Sequence, residues 1–208
     1  MAEMSNNALI VFLKNPLEGK VKTRLAAQVG ETEALSVYQK LIEHTRSIVM
    51  DCPVDIHLFY SDYIDSQDKW LDTEITKHQQ EGKDLGERMK NAFKQVLDSG
   101  YKNAIIIGTD CPEITSRIIQ DAFDRLEEYD VVIGPAMDGG YYLLGLNDLH
   151  DELFEQIDWG TESVFDQTLA VLQRLGLIWY ETPILSDIDT EDDLPKLRNI
   201  SGRAQISQ

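Results

Sequence analysis

Ala104-Ile105-Ile106-Ile107-Gly108-Thr109-Asp110-Cys111-Pro112-Glu113 is the stretch on which the fold turns. Four apolar residues, three of them β-branched, describe a strand buried on both faces, and they lead through Gly108 and Thr109 to a carboxylate. Pro112 cannot continue a ladder and disfavours helical geometry at Cys111, so the strand is expected to end near Asp110. Ligands of open α/β sheets bind at the carboxyl ends of the strands. An acid placed there can hold Mg²⁺, which takes one or two carboxylates together with a substrate's phosphates. An Asx turn ahead of a helix starting near Thr115 would suit Asp110 as well.

Outward from this strand the chain alternates. Upstream, Ala8 to Leu13 (ALIVFL) reads as a buried first strand after a loose leader, and Asp55 to Tyr60 as a second. Glu74 to His78 is a weaker strand candidate. A helix from Thr32, with Thr32 as its cap, and another over Asp84 to Asp98, with Asp84 and Glu87 at capping-box spacing, carry apolar residues at helical intervals. In the second, Leu85, Met89, Ala92, Phe93, Val96 and Leu97 share one side, and Arg88 lies in the first turn. Downstream come a helix over Ser116 to Glu128, a strand over Asp130 to Pro135, and a strand over Tyr141 to Leu146. Between these two strands Asp138-Gly139 gives a hairpin signal, so one strand is expected to run antiparallel. Leu149 to Ile157 and Thr161 to Leu175, the latter capped by Thr161, read as helices. Leu177 to Glu181 and Ile184 to Ile188 read as short strands, and Thr190 with Asp193 suggests a cap for a final short helix.

Strands alternating with helices predict an α/β fold, a Rossmann-like, mostly parallel sheet with helices on both faces. Its carboxyl edge would gather the loop after the first strand, Asp110, Asp138, Asp187 and Asp189. That first loop, Lys14 to Arg24 (KNPLEGKVKTR), holds four basic residues and one acid within a chain of net charge −18. Pro16 and Gly19 mark it as a loop, and its position suits a phosphate cradle; a solvated basic loop is the plainer alternative. It is neither a P-loop nor GxGxxG. A basic cradle opposite acidic metal ligands suits a metal-bound nucleoside di- or triphosphate.

Composition narrows the partners. With 208 residues, 42% of them hydrophobic, the chain can bury a full core, and one domain over residues 1–208 with frayed ends at 1–7 and 201–208 is expected. Nineteen Lys and Arg against 37 Asp and Glu oppose binding to nucleic acid or anionic membrane. Cys52 and Cys111 form no CxxC pair, and no signal peptide or membrane-spanning run is present, which fits a cytoplasmic, soluble protein. Cys111 lacks the basic neighbour that a nucleophile needs. The four histidines, His44, His57, His78 and His150, are scattered, and with no GxSxG or HExxH they read as structural.

FLKNPLEGKVKTRL, LGERM, IIIGTDCPE, GPAMDGGYYLLGL and DWGTESV together resemble, over nearly the whole chain, a bacterial and archaeal group within the GT-A or nucleotide-diphospho-sugar transferase superfamily, some of whose members are designated arsenosugar-biosynthesis glycosyltransferases. VKTRL and SDIDTEDDL are also similar to their counterparts in phospholactate guanylyltransferase and the molybdenum-cofactor nucleotidyltransferases. The resemblance implies the GT-A fold, Mg²⁺ or Mn²⁺ as cofactor, and a phosphate site lined by Lys14, Lys22 and Arg24; Gly19, Thr23 and Arg88 are further candidates for the nucleotide site. It implies Asp110 as metal ligand, joined by Asp189 or else Asp187. Asp138 would act as base or acceptor contact. The sequence departs from the pattern in lacking an Asp-x-Asp motif and a glycine-rich LAAGxGxRM opening. Three functions follow: glycosyl transfer from a nucleotide-sugar to a small acceptor, nucleotidyl transfer from a nucleoside triphosphate with release of pyrophosphate, or nucleotide binding without turnover.

Overall fold

The computed structural model describes residues 5–70 and 75–197. Among these, seven strands form one sheet: β1 (Asn7–Leu13), β2 (Asp55–Tyr60), β3 (Ile75–Gln79), β4 (Asn103–Ile107), β5 (Val131–Pro135), β6 (Tyr141–Leu146) and β7 (Trp179–Glu181). Their order is β3-β2-β1-β4-β6-β5-β7. All neighbouring pairs are parallel except β4·β6 and β5·β6, which run antiparallel. The expected mostly parallel sheet with one reversed strand is therefore the fold. Because β6 is reversed, the turn that feeds it lies at the same sheet edge as the carboxyl ends of β1 and β4.

Alternation along β1 shows why both faces are covered. Leu9, Val11 and Leu13 join Ile48 and Val49 of α2 (Glu31–Val49) and Ile119, Ala122 and Phe123 of α4 (Ser116–Arg125). Ala8 and Ile10 point the other way, to Met89 and Phe93 of α3 (Leu85–Asp98) and Val171 and Leu172 of α5 (Val164–Leu175). Each of the larger side chains, Val, Leu, Ile, Met or Phe, contributes about 1.5–3 kcal/mol on leaving water, so the two layers hold the sheet as a rigid platform. A short helix, α1 (Thr23–Val29), packs Leu25 on α2 and Ile188, and nothing in the apolar spacing had announced it.

Several expectations are corrected. Thr32 does not cap α2: Gly30 holds that position, and the Thr32 hydroxyl donates to Glu18. In α3, Asp84 caps Glu87 N as expected, but Glu87 answers Lys83 N, and Leu85 is exposed rather than inward. β4 ends at Ile107, so Gly108 to Asp110 form a loop beyond the strand. Leu149 to Ile157 contains only a 3-10 turn at Asp151–Leu153, because Leu153, Phe154 and Ile157 plug the α3/α5 cluster as separate anchors. The cap of α5 is Ser163, while Thr161 donates to Asp158 O. Ile184 to Ile188 is no strand; it touches the sheet through one bridge, Leu185 to Ala136. Glu74, the loose leader up to Met4 and the polar tail from Ser201 lie outside the described residues.

Candidate functional site

The loop after β1 is held from both sides. Buried Asn15 accepts from the backbone N–H groups of Asp62 (3.0 Å) and Tyr63 (3.3 Å), and its amide donates to Tyr63 O (2.9 Å). The Tyr38 hydroxyl of α2 accepts from Lys14 N (2.9 Å) and lies 3.0 Å from Thr109 Oγ1. Burial, with the nearby Asp110 charge, pushes the Tyr38 phenol above its ordinary range, so it stays a neutral linker between this loop and the end of β4. The loop then turns into α1 at Lys22, whose φ of 48° is left-handed.

That turn aims Lys22 inward. Its ammonium lies 2.6 Å from Asp110 Oδ1 and 3.7 Å from Asp189 Oδ1, with the side chain only 5% exposed. Arg24 reaches the other oxygen of Asp189 at 3.3 Å. The acids are brought together by backbone contacts. Ile188 N donates to Asp110 O (3.1 Å), and Glu113 Oε2 accepts from both Ser186 N (2.8 Å) and Ser186 Oγ (2.9 Å). Asp193 accepts from Asp189 N, Thr190 N and Thr190 Oγ1; against desolvation, these bonds and Lys196 hold its carboxyl at about 2. The segment after Ser186 is thereby pinned over the end of β4. Burial raises Asp187 to about 7, with Asp110, Asp138 and Asp189 adding to the effect and Lys22 opposing it. Burial and the Asp187 charge push the Cys111 thiol to about 12, which removes it as a nucleophile at neutral pH.

The far wall is the β5–β6 hairpin. Asp138 Oδ1 accepts from Gly140 N (3.0 Å), which fixes its carboxylate at the turn. Gly139 has φ 84°, and a Cβ there would lie 2.0 Å from Glu162 O, so the turn docks directly on the backbone before α5. Across the cleft, Gly86 receives the indole of Trp159; a Cβ on Gly86 would meet Trp159 Nε1 at 2.2 Å. Arg88 Nε donates to Gly82 O (3.2 Å) and shares this wall with Lys83.

These segments enclose a cleft of about 1090 Å³, just above the range of roughly 300–1,000 Å³ usual for small-molecule sites. Lys14, Lys22, Thr23, Arg24, Arg88, Asp110, Asp138 and Asp189 all line it, so the structure brings together every proposed site residue but one. Gly19 is not among the lining residues: its φ of 73° makes a turn on the side of α2, where a Cβ would meet the Glu31 carboxylate at 3.2 Å. Sequence reasoning missed Lys20, Lys83, Trp159 and Glu162. Lys20 lay in a segment already singled out for its charge, whereas the others depend on contacts between distant segments. Asp110 and Asp189 supply hard oxygen donors that converge on one ammonium, and that ammonium stands where a divalent cation would be held. Among the described residues no cluster of three or more His, Cys, Asp or Glu side chains gathers there, so the two carboxylates fit Mg²⁺ or Mn²⁺ only together with a substrate's phosphates.

The family described as "Uncharacterized protein conserved in bacteria (DUF2064)" matches residues 44–161. A solved structure from Desulfovibrio desulfuricans G20, a candidate nucleotide-diphospho-sugar transferase, is 32% identical, with a TM-score of 0.86 over 99% of this chain and 90% of that one. The 2-phospho-L-lactate guanylyltransferase of Methanocaldococcus sp. (strain FS406-22) is 26% identical over 178 residues, covering 85% of this chain and 75% of that protein. The inositol-1-phosphate CTP transferase of T. maritima shares the fold, with a TM-score of 0.59 at 15% identity over 99% of both chains.

Proposed function

This chain belongs to the DUF2064 family, and from that premise we propose that it is a metal-assisted transferase that takes a nucleotide-sugar and passes the glycosyl group to a small hydroxyl acceptor. The observation that carries the reading is Lys22 set between Asp110 and Asp189 at the foot of a basic loop. Lys14, Lys20, Lys22 and Arg24 bind the diphosphate, whose charge-assisted hydrogen bonds replace the pairs that Lys22 and Arg24 make with Asp110 and Asp189. Asp110 and Asp189 would hold Mg²⁺ or Mn²⁺, which would supply positive charge to neutralise that developing on the departing diphosphate. Asp138, oriented by Gly140 N, takes the proton of the acceptor hydroxyl. The acceptor oxygen then bonds to the anomeric carbon as the bond to the diphosphate breaks, its electron pair leaving with the nucleoside diphosphate.

A second reading, nucleotidyl transfer, is favoured by the likeness to guanylyltransferases over most of the chain. There an acceptor phosphate attacks the α-phosphorus of a nucleoside triphosphate and pyrophosphate leaves. The leaving group separates the two. The protein would be incubated with Mg²⁺ or Mn²⁺ and, separately, panels of nucleotide-sugars and nucleoside triphosphates. Slow release of a nucleoside diphosphate from one nucleotide-sugar is expected, with water standing in for the acceptor. Pyrophosphate from one triphosphate, with every nucleotide-sugar left intact, would falsify the glycosyl reading.

A further inference from the structure

Lys22 meets the acids through an uncommon backbone. Its φ of 48° and ψ of 46° are left-handed, which a residue bearing a Cβ seldom adopts, and no side chain caps α1 there. What the turn does is aim the ammonium at Asp110 Oδ1 (2.6 Å) and Asp189 Oδ1 (3.7 Å), while Arg24 takes the other oxygen of Asp189 at 3.3 Å. Mg²⁺ binds carboxylate oxygens at about 2.0–2.1 Å. An ion that close to Asp110 Oδ1 would be pressed against an ammonium on the same atom, and like charges in contact repel. The metal and the lysine therefore compete for these oxygens.

The Lys22 side chain is 5% exposed, and a charge so nearly enclosed is costly to leave without a partner. Among the described residues its ion pairs are with those two acids. A third anion is needed to release it, and the cleft around it, lined also by Lys14, Lys20 and Arg24, suits a phosphate. Resting on the metal-bound diphosphate that both readings above share, we propose that Lys22 is a positioning residue that makes metal and diphosphate bind together. Without a diphosphate its ammonium holds the oxygens the metal needs; the diphosphate draws it away and opens them. The effect is reciprocal, because whatever the diphosphate does for the metal the metal does for the diphosphate.

Lys22→Met keeps an apolar stem and removes the charge; Asp110 and Asp189, 37% and 41% exposed, stay hydrated, so the fold should stand. Mn²⁺ alone comes first, the bound ion being counted by loss of the paramagnetic resonance signal of the aqueous ion. Two carboxylates leave most of its positions to water, so the parent chain should bind it weakly, and Lys22→Met should tighten that binding at least fivefold, a gain that adding Asp110→Asn removes. Inorganic pyrophosphate, a diphosphate with neither base nor sugar, is then titrated by calorimetry with and without Mn²⁺. Complexation in solution is the same for every variant, so the ratio of the two affinities reports coupling within the site, and it should be at least threefold larger in the parent chain than in Lys22→Met. If Asp110→Asn alone leaves the parent ratio unchanged, it is the metal site that has failed, and the inference falls with it. Where Asp110→Asn does lower the ratio, a gain or a difference smaller than those stated for Lys22→Met would overturn the proposal and leave the metal role standing.

Discussion

Lys22 is nearly buried, and among the described residues its ammonium makes ion pairs with two carboxylates, those of Asp110 and Asp189. A buried ion pair that loses one partner costs on the order of 3–5 kcal/mol, and less here because the Asp110 side chain is 37% exposed. Asp110→Asn keeps the shape and a hydrogen-bond acceptor for Lys22, so the fold should survive with a small loss of stability. Its effect should fall on ligand binding: losing an anionic metal ligand is expected to weaken Mn²⁺-dependent nucleotide affinity at least tenfold, about 1.4 kcal/mol. Calorimetry on the variant checks it, and an affinity within threefold of the parent would remove the metal role. Asp110 could be found in the sequence because the apolar run of β4 leads through Gly108 and Thr109 directly to it, at the carboxyl end of a buried strand. Trp159 could not, since only the bare Cα of Gly86, distant in the chain, gives its indole a seat.

At the scale of elements, β2 and β6 begin and end where their apolar runs do, because turn residues bound both. The short α1 and the segment from Leu149 to Ile157 were misread for a common reason. Their apolar residues answer to neighbouring elements, not to a period of their own. The β2–β3 pair carries a testable pH response. His57 Nδ1 lies 3.0 Å from His78 Nε2, the rings stack, and Gln95 bonds the outer nitrogen of His78. Burial, with His78 adding, lowers His57 to about 4, although Asp55 pulls the other way; burial lowers His78 too. Both therefore bind protons more readily in the unfolded chain, whose histidines titrate near pH 6.5. The stability they contribute is full above that pH and is lost as pH falls from about 6.5 towards 4. Urea unfolding at pH 7, 5.5 and 4.5 should show this decline, and His57→Gln should reduce its slope by up to about one proton. An unchanged slope would mean that the pair is not protonated within the fold's stable range.

At the scale of the whole molecule, the α/β sheet and its single reversed strand were legible from alternating element types and one Asp-Gly turn. The pairing of Lys22 with Asp110 and Asp189 was not, because it exists only once the topology sets β1 beside β4. No helix among the described residues is long and apolar enough to cross a membrane. Net charge would also govern how quickly a nucleotide reaches that site. From a distance a polyanion meets a body of charge −18 and is turned away; only within a few ångströms do the lysines of the first loop draw it in. Added salt shrinks the reach of the outer repulsion from about 30 Å at 0.01 M to about 8 Å at 0.15 M, and affects the close contacts less. Association of a nucleoside diphosphate, followed by stopped flow, should then quicken by about twofold or more over that range. A slowing would show that the local cations dominate the approach. Quickening would mark the molecule as one whose encounter rate is held back by its own bulk charge and released by ordinary cellular ionic strength.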